Sequence, residues 1–77
     1  MNITQYALKV KEIVQKSEVI THVMMSGTTM EDIDKVLSIM ITIGYTAGMT
    51  AESTASKALE AFKGELVKFL NAKLTEN

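Results

Sequence analysis

Few residues in this chain have the chemistry to catalyse or to bind a cofactor. His22 is the single histidine, and there is no cysteine. A nucleophile–base pair would need His22 beside a serine or threonine and steered by a carboxylate. Its place near the end of the first helical segment gives it a simpler role, because histidine there complements the helix dipole or bonds a terminal carbonyl. The run from His22 to Gly27 faintly echoes a phosphotransfer helix, but it holds no lysine to grip a phosphoryl group. Glu31, Asp32 and Asp34 could offer oxygens to Ca²⁺. They lack the spacing and central glycine of a calcium loop, and acids are common where a helix starts. No glycine pair is followed by Lys-Ser or Lys-Thr, so there is no phosphate loop. We therefore expect no catalytic residue, no cofactor and no metal, which makes the protein non-enzymatic.

Composition narrows the remaining classes. A 77-residue chain is one domain, here 1–77, close to the lower limit for a self-sufficient core. Domains of this size are usually stapled by disulfides, a metal or a partner chain. Without cysteine, and with one histidine, only association with another chain is left. Hydrophobic residues make up 47% of the sequence, too many for a disordered segment. The eight cations are all lysines and the net charge is −1. That balance gives no field toward nucleic acid or anionic lipid, and arginine's bidentate phosphate and guanine contacts are missing. Residues 1–18 carry charges on a helical pattern rather than a secretory apolar region, so the expected location is cytoplasmic.

Three helices are predicted to position these groups, over residues 2–25, 29–46 and 50–75. In the first, Ile3, Tyr6, Val10, Ile13, Ile20 and Met24 keep near three-four spacing with Ser17 interrupting, widened by Ala7, Val14 and Val23. Asn2 and Gln5 form a capping-box signal, and Gly27 stands where a left-handed cap closes the helix. Thr28 with Glu31, or Thr29 with Asp32, opens the second. The third starts at an N-cap Thr50 and carries the stripe Ala55, Ala58, Leu59, Phe62, Leu66, Phe69, Leu70 and Leu74. Residues 75–77 are expected to fray. The first and third helices should pack lengthwise with the second covering one side.

The sixteen residues from Val36 to Ala51 contain no charge, and Gly44 and Gly48 within them are spaced as G-x-x-x-G. A membrane span needs about 20 apolar residues, so this run is too short, and its threonines and glycines weaken it further. The turn before Thr50, followed by Ser53, Ser56 and Lys57, looks like a helix-turn-helix recognition element, but its outer face would hold one cation. The methionines after the first lie between residues 24 and 49, suited to filling gaps or to an adaptable binding surface.

The reading that joins these points is an all-α, three-helix bundle that self-associates through the second helix, most simply as a homodimer. Its interface is expected at Val36, Ile39, Met40, Ile43, Gly44, Tyr45, Gly48 and Met49, with the glycines allowing close approach of the partner backbone. The expected function is a protein–protein interaction module or regulator acting on another macromolecule, for example a viral or plasmid-encoded inhibitor. A small helix-turn-helix DNA-binding regulator and a membrane-associated protein are the alternatives.

Overall fold

The computed structural model describes residues 2–75. It consists of four α-helices: α1 (Ile3–Gln15), α2 (Glu18–Met25), α3 (Met30–Thr46) and α4 (Ala51–Thr75). There is no strand among the described residues. Of the residues expected to fray, Thr75 is the last residue of α4, its hydroxyl donating to the Ala72 carbonyl at 3.0 Å, and 76 and 77 lie outside the described residues.

The predicted first helix is broken in two, so a three-helix count is corrected to four. Ser17 is the cause. Its hydroxyl accepts from the Val19 N–H at 3.2 Å and caps α2, while its own N–H reaches back to the Val14 carbonyl at 3.1 Å. Serine competes with helical bonding in this way, which favours it at helix starts. Packing explains why the break is useful. Tyr6, Val10 and Val14 are buried at four-residue intervals, but the next buried residues are Ile20 and Val23. Six residues separate Val14 from Ile20, and an unbroken helix would turn them about 120° apart. The break restores Ile20 and Val23 to the core side and leaves Met24 exposed; Ile3, at the start of α1, is exposed as well.

The remaining ends follow their caps. Asn2 and Gln5 complete a reciprocal capping box at α1. Thr29, rather than Thr28, caps α3: its hydroxyl accepts from the Asp32 N–H at 3.2 Å and donates to the Asp32 carboxylate at 2.9 Å. Thr50 Oγ1 accepts from the Ser53 N–H at 3.1 Å at the start of α4. Gly27 and Gly48 take φ of 104° and 74°, the left-handed conformation that ends α2 and α3.

α4 is the spine on which α1, α2 and α3 all pack. The core is Tyr6, Val10, Val14, Ile20, Val23, Ile33, Leu37, Ile41, Ala51, Ala55, Ala58 and Phe62. The small residues of α4 let the other helices approach closely. Its apolar stripe is covered only as far as Phe62; Leu66 and Phe69 are half-buried, and Leu70 and Leu74 are exposed. The ion pairs among the described residues lie at the surface. Lys9 to Glu52, at 2.7 Å, is the one that ties α1 to α4. Its hydrogen bond raises Lys9 above the usual lysine value and lowers Glu52 below the usual carboxylate range.

The molecule is elongated, 49 × 19 × 17 Å, with a radius of gyration of 13.4 Å. A compact 77-residue chain would have a radius of gyration of about 11.5 Å. Its accessible surface is 5214 Å², whereas a compact monomer of its mass exposes about 4,700 Å². No helix among the described residues is long and apolar enough to cross a membrane.

Candidate self-association surface

α3 buries one face and leaves an apolar flank in the open. Ile33, Leu37, Ile41 and Gly44 turn inward. Next to them Val36, Ile39 and Ile43 are 40%, 61% and 61% exposed, and Met40 is half-buried. Positions 36, 39, 40 and 43 share one side of a helix, so these four side chains form a continuous strip. Fully burying a valine or isoleucine is worth about 1.5–3 kcal/mol, and Val36, Ile39 and Ile43 forgo roughly half of that each while the strip is uncovered.

The helix end adds Met49 to the strip. The Met49 N–H donates to the Gly44 carbonyl at 2.9 Å, and the Gly48 N–H to the Tyr45 carbonyl at 3.2 Å. This is a Schellman cap, in which the residue after the glycine folds back on the last helical turn. Met49 accordingly lines a groove between α3 and α4 together with Met40, Ile43, Gly44, Thr54 and Lys57. The groove has a volume of about 130 Å³ and is walled almost entirely by carbon. Small-molecule sites are usually about 300–1,000 Å³, so this groove suits a partner's side chain better than a metabolite.

The expected interface residues separate into three groups. Val36, Ile39, Met40, Ile43 and Met49 are brought together on the outer flank. Gly44 is used inside the chain: an added Cβ would collide with Thr54 Oγ1 and stand 2.9 Å from Tyr6 Oη. Close approach at Gly44 is therefore between α3 and its own neighbours. Tyr45 leans to the other side, its ring edge-on to Tyr6 with centroids 5.3 Å apart. Gly48 supplies the left-handed turn. Tyr6 completes this inner contact, sharing a buried hydrogen bond with Thr54 and reaching the Thr50 carbonyl at 3.3 Å. Sequence reasoning missed Thr54 and Lys57 as groove residues; the signal was their position on the α4 face beside Ala55 and Ala58.

The other chemical candidates are placed as follows. His22 is exposed in the last turn of α2, and the bond at that position is made by its carbonyl, which accepts from the Ser26 N–H at 3.1 Å. Asp32 serves the α3 cap, and Glu31 pairs with Lys35 at 3.5 Å. No group of three or more potential metal ligands converges among the described residues. Ser53, Ser56 and Lys57 are exposed on α4. The chain matches no known family model, no curated protein and no solved structure.

Proposed function

We propose that the protein is a non-enzymatic interaction module that works as a homodimer in the cytoplasm and modulates another protein. The observation that carries this is the exposed strip Val36, Ile39, Met40 and Ile43, extended by Met49, on a chain with no other staple. The excess surface points the same way: about 500 Å² beyond a compact monomer, against the about 800 Å² per partner of a standard interface. The uncovered end of α4, with Leu70 and Leu74, is the surface left for the second macromolecule, in the manner of a small regulator or inhibitor. A DNA-binding role would rest on Ser53, Ser56 and Lys57, a face with one cation. Phosphate contacts are made mainly by cations, so that reading is the weaker.

Sedimentation tests the proposal. The wild type should sediment as a dimer at micromolar concentration, and Ile39→Asp with Ile43→Asp as a folded monomer. A wild-type monomer at that concentration would remove the basis for the reading.

A further inference from the structure

We infer that the two copies pair through α3 in antiparallel fashion, about a two-fold axis passing between Ile39 and Met40; this rests on reading α3 as the self-association surface. The strip is symmetric about its own middle. Val36 and Ile43 lie three residues outside Ile39 and Met40 on either side. Antiparallel pairing therefore sets Val36 against Ile43 of the partner subunit, and Ile39 against Met40 of the partner subunit. A two-fold interface must be self-complementary in this sense.

Charge selects the antiparallel register over the parallel one. Asp32 continues the strip one turn before Val36, and Lys57 stands at its other end beside Ile43 and Met49. Both are exposed. Antiparallel pairing carries the α3 acids of each copy toward Lys57 of the other. Parallel pairing would set Asp32 of one copy beside Asp32 of the other at one end, and bring both Lys57 side chains together at the other. It would also align the two α3 dipoles, which the antiparallel arrangement opposes.

Single-cysteine variants read the register, because the chain has no cysteine of its own. Each variant is first shown by sedimentation to be a dimer, then oxidised mildly. Ile39→Cys lies beside the axis and should crosslink to near completion. Val36→Cys and Ile43→Cys should each stay uncrosslinked alone. Their like positions would be offset by about 10 Å along the helices, and a disulfide needs Cα atoms within about 7 Å. An equal mixture of Val36→Cys and Ile43→Cys should form the mixed disulfide. Efficient crosslinking of Val36→Cys or Ile43→Cys alone, in a confirmed dimer, would establish the parallel arrangement and overturn this inference while leaving the dimer intact. A monomeric wild type would overturn both. Lys57→Glu should weaken the dimer at low ionic strength, and a tighter dimer would contradict the placement of the acids.

Discussion

Replacing Gly44 by alanine should destabilise the protein, although the same exchange normally strengthens a helix. In an open helical position, alanine is favoured over glycine by about 1 kcal/mol. At Gly44 the new methyl group meets Thr54 Oγ1 and Cγ2, the latter at 3.0 Å, and Tyr6 Oη at 2.9 Å. Neither neighbour yields easily. Thr54 is β-branched with a stiff χ1, and both residues are buried in a hydrogen bond to each other. Overpacking of this kind costs about 1–3 kcal/mol, and loss of the buried hydrogen bond adds about 1 kcal/mol. Against the helical gain, the net loss is about 1–3 kcal/mol. For a domain of this size that lowers Tm by about 4–8 °C per kcal/mol. Thermal unfolding followed by helical circular dichroism, at one fixed protomer concentration, measures it. Gly64→Ala is the control, since an added Cβ there meets nothing within 4 Å and should raise Tm. Thr54→Ala should partly rescue Gly44→Ala in a double-mutant cycle. If Gly44→Ala stabilised the protein as much as Gly64→Ala, the close approach of α3 to α1 and α4 would be refuted.

Three further outcomes follow from particular contacts. Ser17→Ala removes the α2 cap and should cost about 1 kcal/mol, read as a lower urea midpoint with an unchanged slope; no effect would mean the break is made by packing alone. Leu70→Asp and Leu74→Asp alter the uncovered end of α4 and should leave the dimer intact by sedimentation, whereas dissociation would move the self-association surface to α4. The Lys9–Glu52 pair predicts a pH dependence of definite sign. The folded Glu52 binds its proton less readily than the unfolded one, so its contribution is present above its ordinary value of 4.5 and lost as pH falls through the lower folded value. Lys9 is raised, so its contribution is complete below its ordinary value of 10.5 and lost as pH climbs through the higher folded value. Both groups are solvated, so the effect should be small and should fade with salt, and Glu52→Gln should remove the acid component.

What was legible in the sequence was mostly local. The Asn2–Gln5 box, the caps at Thr29 and Thr50, and the closing glycines Gly27 and Gly48 are set by hydrogen bonds within a few residues, and each was readable from residue type and spacing. Ser17 is visible as an interruption of the apolar spacing, yet the spacing on either side still predicts one helix across it. Only the packing of Ile20 and Val23 on α4 shows that the two halves need different registers. Gly44 is legible as a close-approach position, but not what approaches it, because Tyr6 and Thr54, whose side chains do so, are distant in the chain. Of the eight expected interface residues, the apolar ones on one side of α3 stayed together. The two glycines and Tyr45 went to local or inward tasks. The α4 stripe looked uniform in sequence, yet α4 outruns the shorter helices that cover it, and no local pattern marks Phe62 as the last fully covered residue.

Sedimentation equilibrium of the wild type and of Ile39→Asp decides whether α3 carries the self-association surface. Ile39 is 61% exposed, so an aspartate there can be solvated without disturbing the core. The wild type should sediment as a dimer near 17 kDa, twice the 8.5 kDa chain, and Ile39→Asp as a monomer of the chain mass with wild-type helicity. A wild type of 8.5 kDa at micromolar concentration, or an Ile39→Asp variant as dimeric as the wild type, would contradict it.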